Sequence, residues 1–338
     1  MVKNPRIPLG AQAQDIIRRD RLAKLCVLVA DRDFRTASLV QRILFSFGFR
    51  NLDITTNGES ALALLRARPY DIIITEWEMA PVDGVSLIKA IRAAKDDKRI
   101  PRDIPILMLT GRTDLGSVAA ARDAGVTEFV AKPFSAKTIS NRIIQIIDNP
   151  RPFVESEEYI GPDRRRRGTP PEGVEERRGA RKDKQGTVQP ANTRLQQQLG
   201  NAAEIINETA ISQAQAELLQ AEPDYIAWAH ADILHLQQAY EQLGKRPDDA
   251  AALTALSDAA YTIHSQAGIF GYQLGSEVAF LLIEYLGAHR EFNADNLVVI
   301  RKHIDAITTI FKQNIKDSGQ SIAMEIVASL KKLTQKLG

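Results

Sequence analysis

An alternation in the first half of the chain most limits what it can fold into. Short apolar runs take turns with stretches of helical periodicity from residue 24 to residue 147. KLCVLVA (24–30), LDITT (52–56), DIIIT (71–75), IPILMLT (104–110) and EFVAK (128–132) read as strands. The stretches near 34–47, 58–67, 83–95, 114–124 and 135–147 read as helices. The third and fourth runs are continuously apolar, which is the pattern of strands buried on both faces of a parallel sheet. Five strands alternating with five helices predict an α/β domain, a doubly wound five-stranded parallel sheet.

The pattern stops at residue 148. Residues 148–200 carry PRPF, GPDRRRRGTPPEG, EERRGARKDK and a Gln/Asn-rich stretch, so Pro, Gly and charge replace apolar periodicity. This composition predicts an Arg/Pro/Gly-rich linker, largely disordered. Phe153, Val154, Tyr159 and Ile160 are unusually apolar for a linker and predict docking of that part on a folded domain. Residues 201–338 show no useful strand run, and apolar residues recur there at spacings of three and four. Ile226, Ile233, Leu236 and Tyr240 form one such series, and Leu253, Leu256, Ala260 and Ile263 another. Further helices are expected at 273–288, 294–316 and 320–337, with Pro247-Asp248-Asp249 opening one helix and Asn293 capping another. The second half is therefore an all-α helical bundle. Residues 1–23 form a polar N-terminal extension.

Charge and cysteine usage narrow the function classes. A net charge of +2 gives no global field that would draw the chain to nucleic acid or membrane. No apolar run approaches the ~20 residues of a membrane span, and the first residues lack a signal-peptide core. The single cysteine, Cys26, cannot form an internal disulfide, and it sits in an apolar run where packing is its expected role. The expected location is cytoplasmic. No zinc-ligand spacing occurs, and no metal site is expected. Arg164 to Arg167, with Arg177, Arg178, Arg181, Lys182 and Lys184, could anchor an acidic partner or nucleic acid. Interspersed acids and the lack of interleaved aromatics favour a solvated tether, so nucleic acid is not the expected partner.

Ligands in doubly wound folds bind at the carboxyl ends of the strands. Here those ends read Asp31-Arg32-Asp33, then Glu76-Trp77-Glu78-Met79 through Asp83-Gly84, then Thr110-Gly111, then Lys132-Pro133-Phe134. Residues 24–147 resemble the receiver domain of two-component response regulators. The resemblance implies an acidic pair and an acceptor aspartate that hold Mg²⁺, a Thr hydroxyl and a Lys ammonium that bind phosphoryl oxygens, and a strand-five aromatic, here Phe129, that reports the change.

Two positions depart from that pattern. Glu76 occupies the acceptor place, its carboxylate one methylene further out, in a reaction whose geometry tolerates only small displacements. Arg32 occupies the second acidic position, where a guanidinium opposes a divalent cation and can pair with a carboxylate. Mg²⁺ binding is expected to be lost and no cofactor is expected. Three readings stay open. Arg32 stands in for the metal while Glu76 imitates a phosphorylated aspartate, the pocket has decayed, or phosphorylation persists elsewhere in it.

The segment LSDAAYTIHSQAGIFGYQLG (256–275) resembles the phosphorylation-site helix of histidine-phosphotransfer (HPt) domains, a likeness taken to extend over 201–338. Placed without gaps, Leu256, Ala259, Ala260, Phe270 and Gly271 match and Tyr261 takes the histidine position, with His264 and Ser265 on the following Lys and Gly positions. In the other register His264 is the phospho-acceptor and Gly268 lies four residues on. The ungapped register is preferred. Tyr261 and His264 share a helix face, and His264 is expected at the surface in either register.

Together these features predict a bacterial two-component (phosphorelay) protein that acts by protein–protein contact, a phosphorylation-independent pseudo-receiver adaptor and not an enzyme. Its expected partners are a histidine kinase and receiver or HPt proteins. The alternatives are an active phosphotransfer protein using His264, and a nucleic-acid-binding regulator acting through the arginine tract.

Overall fold

The computed structural model describes residues 20–112, 114–164, 187–289, 292–316 and 321–337. They fall into two compact units, one of residues up to 131 with 136–215, the other of 132–135 with residues from 216 onward.

In the first unit β1 (Cys26–Ala30), β2 (Asn51–Thr55), β3 (Ile72–Glu76), β4 (Ile106–Thr110) and β5 (Glu128–Ala131) alternate with α1 (Phe34–Phe47), α2 (Gly58–Ala67), α3 (Gly84–Ala93), α4 (Leu115–Ala124) and α5 (Ala136–Asp148). The strands form one five-stranded sheet in the order β2-β1-β3-β4-β5, with every pairing parallel. Every residue of β3 and β4 is buried, as their unbroken apolar runs require. Pairing of Ala30 with Thr75, Glu76 with Leu109 and Thr110 with Ala131 puts the carboxyl ends of β1, β3, β4 and β5 side by side. The strand order reverses beside β1, and the loops after β1 and β3 diverge there.

The helix starts are set chemically. Asp33, Asn57, Asp83 and Asp114 each accept a backbone N–H from the first turn of α1, α2, α3 and α4. Each such cap is worth about 1 kcal/mol. Gly48 and Gly125 end α1 and α4 at φ 113° and 95°, in the left-handed region.

Much of the stretch expected to be a disordered linker is folded. β6 (Phe153–Glu155), β7 (Ile160–Pro162) and β8 (Thr187–Gln189) make a small antiparallel sheet in the order β7-β6-β8. α6 (Arg194–Leu199) and α7 (Ala202–Ile205) follow. Phe153, Leu195 and Leu199 are buried, and burying one such side chain contributes about 1.5–3 kcal/mol. The Arg102–Glu155 ion pair at 3.1 Å adds less, since partly solvated pairs bring about 0–1 kcal/mol. Apolar burial therefore fastens this segment. The buried Arg92 guanidinium lies 5.7 Å from the Phe153 ring and donates to the carbonyls of Gly125, Arg102 and Ile104. Burial pushes its pKa down to about 10, so Arg92 keeps its charge at neutral pH. Asp148, at the end of α5, accepts the N–H groups of Ala202 and Ala203 and so caps α7. Arg164, the first arginine of the basic tract, pairs with Asp123 at 3.1 Å and lies 3.8 Å from the Tyr159 ring. The rest of the tract, 165–184, lies outside the described residues, as do residues 1–19 of the N-terminal extension.

α8 (Glu208–Gln220) leads into the second unit, which holds α9 (Glu222–Lys245), α10 (Ala250–Ala267), α11 (Gln273–Ala288), α12 (Ala294–Lys312) and α13 (Ser321–Leu337). Asp249 caps α10 through Ala251 and Ala252, and Asn293 caps α12 in a reciprocal box with Asn296. α10 packs against both α9 and α11, and α12 against the same two helices. The buried stripe of α9 runs through Tyr225, Ala229, Ile233, Leu236 and Leu243, so of the apolar series read from the sequence Ile233 and Leu236 are buried while Ile226 and Tyr240 are only half-buried. Aromatic stacking sets that phase: Tyr225 lies on Phe270 with ring centroids 4.3 Å apart, and Tyr272 lies on Phe311 at 4.8 Å.

His303, fully buried on α12, donates from Nδ1 to the carbonyl of Val299 at 2.8 Å, and burial holds its pKa below the ordinary value. The folded state therefore favours neutral imidazole, whereas the unfolded chain takes up a proton near pH 6.5. This contribution to stability is complete above about pH 6.5 and is lost as the pH falls from there to the folded-state pKa. His303→Leu should flatten the fall in urea midpoint between neutral and mildly acidic pH, read from Trp228 fluorescence in a Trp77→Phe background. An equal fall in both proteins would place the proton uptake elsewhere.

Candidate functional site at the strand ends

Asp31, Glu76 and Thr110, at the carboxyl ends of the strands, each accept a backbone N–H from their own loop. Asp31, 1% exposed just after β1, accepts the N–H of Asp33 at 2.9 Å through Oδ1. Asp33 is committed to capping α1, where it accepts from Arg35 and Thr36. Glu76, the last residue of β3, is 0% exposed. Its Oε1 accepts the N–H of Trp77 at 2.6 Å and that of Glu78 at 3.3 Å. Thr110, at the end of β4, accepts the N–H of Arg112 at 2.9 Å through Oγ1. Arg32 is half-buried between the two aspartates in sequence, Lys132 is buried immediately after β5, and Phe129 packs partly buried against the core. Asp31, Arg32, Glu76 and Thr110 thus stand on neighbouring strand ends.

The loop after β3 is drawn in close. Gly84 opens α3 with its N–H on the carbonyl of Trp77 at 2.8 Å. A Cβ at Gly84 would meet the carbonyl oxygen of Glu76 at 2.0 Å. Only glycine permits this approach, and the approach fixes the Glu76 backbone against the first turn of α3.

Sequence reasoning missed one pair. Arg112, after β4, meets Glu78, after β3, at 2.8 Å, and its guanidinium lies 5.8 Å from the Trp77 ring. The guanidinium joins the two loops. Their common position two residues beyond a strand end was the available signal, but that spacing means little before the strands are known to be neighbours.

The helix read as HPt-like differs from expectation. His264 is not at the surface but 7% exposed, and Tyr261 is 4% exposed. Ser265 is buried as well, while Gly268 is half-buried and opens a 3₁₀ turn to Phe270. The His264 ring packs 5.1 Å from that of Phe280. Its Nδ1 lies 3.0 Å from the carbonyl of Ser276, and Ser276 Oγ donates to the His264 carbonyl at 2.8 Å. A carbonyl can only accept, so Nδ1 carries the hydrogen in this pairing. α10 is covered by α9 and α11 together, which is why positions three apart do not define an open face.

The sheet order, the acidic strand ends and the Thr and Lys after β4 and β5 define a receiver domain of a two-component system. A family model, the response regulator receiver domain, matches residues 27–144, and over these residues the chain belongs to that family. Chemotaxis protein CheY-3 of Vibrio cholerae is 32% identical over 123 residues, spanning 36% of this chain and 91% of that protein. Chemotaxis protein CheY of Pseudomonas aeruginosa is also 32% identical, over 36% of this chain and 95% of that protein. Among solved structures, the receiver domain of the P. aeruginosa sensor histidine kinase PA1611, described with a magnesium ion in its active-site cleft, is 26% identical. It covers 36% of this chain and 94% of that one, with a TM-score of 0.32.

Gly84→Ala should cost about 1–3 kcal/mol, because the new methyl meets backbone that cannot swing aside. Chemical denaturation followed by Trp77 fluorescence in a Trp228→Phe background reads this directly. An unchanged midpoint would show that α3 is not held against Glu76 as described.

Proposed function

We propose that this protein is a phosphorylation-independent adaptor of a two-component pathway, in which the receiver domain works through a fixed surface. The carrying observation is the placement of Glu76: fully buried, with Oε1 on two loop amides. A carboxylate held this way, one methylene longer than aspartate, is poorly disposed for in-line attack on a phosphoryl group. It already does what a phosphoryl group would be expected to do, pulling the loop after β3 inward with negative charge.

The donor set does not fit Mg²⁺. Arg32 replaces a ligand carboxylate with a cation, and Asp31 and Glu76 each commit an oxygen to loop amides. Large apolar side chains stand in solvent beside the site, Phe34 at the first residue of α1 and Leu115 at the first of α4, which suits contact with a partner protein. No described helix is long and apolar enough to cross a membrane, and a cytoplasmic place beside a kinase or relay protein agrees with this.

A second reading, phosphotransfer at His264, has one observation behind it. The Nδ1 hydrogen on the Ser276 carbonyl leaves the lone pair of a neutral imidazole on Nε2. Burial of His264 within the helical unit weighs against it. Incubation with a phosphorylated receiver should leave the wild-type chain unlabelled. Labelling that His264→Gln abolishes would establish the phosphotransfer reading instead.

Two measurements test the adaptor reading. A Mg²⁺ titration into the millimolar range, read from Trp77 in a Trp228→Phe background, should give no saturable response. Small phosphodonors should label neither the wild type nor Glu76→Asp, while Glu76→Asp combined with Arg32→Asp should label slowly. Equal labelling of the single and double variants would remove the role assigned to Arg32.

A further inference from the structure

At the opposite pole of the first unit from Glu76, a cavity of about 200 Å³ lies under the folded extension. It adjoins the amino ends of β3, β4 and β5 and is bounded by Ile146 of α5, Phe153 of β6 and Leu195 of α6. Residues 192–195 cross it as a strap, with Asn192 on Asp103 at 2.7 Å and Arg194 on Asp71 at 2.5 Å. Gln196 continues the strap by donating to the carbonyl of Asp148 at 3.0 Å.

The lining is mostly apolar. Besides Ile146, Phe153 and Leu195, its apolar members are Ile104, the ring of Tyr70 and five prolines. Its polar members are engaged with one another across the strap or with neighbours outside the cavity. The Tyr70 hydroxyl donates to Asp53, and Thr127 Oγ1 accepts the N–H of Ile106. Asp71 accepts the N–H of Cys26 as well as Arg194. Arg151 donates to Glu128 and to the carbonyl of Asp163. A charged guest would have to compete with these pairs and shed much of its hydration against a mostly apolar lining, which is costly.

We propose that this cavity is a binding site for a small uncharged aromatic molecule, held by flat apolar contact beneath the strap. Size agrees, because a dry apolar cavity of about 150 Å³ already accepts benzene. The flat prolines and the Tyr70 and Phe153 rings favour a planar guest over a branched aliphatic one. The site is separate from the strand-end pocket and does not depend on how that pocket works.

The test uses the full-length chain and three probes of one shape: indole, the anionic indole-3-acetate and the cationic tryptamine. Backbone amide shifts in a ¹⁵N TROSY titration should saturate with indole at residues 70, 71, 103, 104, 127 and 192–195. The charged probes should bind at least about tenfold more weakly, since each carries a charge into a mostly apolar site whose polar groups are already paired. Leu195→Trp, which fills the cavity from the strap, should abolish the indole response. If that variant does not fold, the location of the wild-type shifts and the ranking of the three probes decide alone. No saturable shift up to the solubility of indole would overturn the proposal. So would shifts centred elsewhere, or equal binding of the charged probes.

Discussion

The first unit depends on a sheet whose central strands face no water on either side. β3 and β4 are buried along their whole length, so helices must cover both faces, and parallel crossovers are the connection that puts them there. Once both faces are closed, only the two edges of the sheet remain for chemistry. One edge carries Asp31, Glu76 and Thr110. The other carries the cavity beneath the strap. Burial at the first edge gives a single carboxylate such influence over a loop, because in a site closed from water its bonds to two backbone amides count for more than they would in solvent.

That constraint also explains how the departures from the receiver pattern can be tolerated together. A buried strand-end carboxylate needs compensation, whether from a metal, a cation or hydrogen-bond donors. Glu76 meets part of that need from its own loop, through the N–H groups of Trp77 and Glu78. Its extra methylene lets the carboxylate bend back to these amides. Arg112 adds a second fastening by joining Glu78 to the loop after β4. The same compensation recurs far from the site, where the buried Arg92 guanidinium is balanced by three carbonyls.

Much of this was legible in the residues. The continuous apolar runs marked β3 and β4, and Asp249 and Asn293 before their apolar series marked the starts of α10 and α12, because a cap is a local interaction between a side chain and the next two or three amides. α6 and α7 were not legible. RLQQQL and AAEI have too little apolar periodicity to announce a helix, and they form where Leu199 is buried and where Asp148, more than fifty residues away, caps the second of them. The phase of α9 escaped for a similar reason. Periodicity gave a helix with an apolar stripe, and stacking of Tyr225 on Phe270 chose which neighbouring stripe faces inward.

The sequence by itself determined the order of elements, the parallel sheet, the helical character of the second half, and the identity of the groups at the strand ends, Glu76 and Arg32 among them. All of these follow from local periodicity, caps and residue type. Tertiary structure decided what those groups face. It turned Glu76 onto its own loop, set Arg112 across from Glu78, covered His264 with Ser276 and Phe280, and folded an apparent linker into the wall of a cavity. Each of these joins residues distant in the chain, and burial between packed elements is a property of their arrangement in space that no single segment carries.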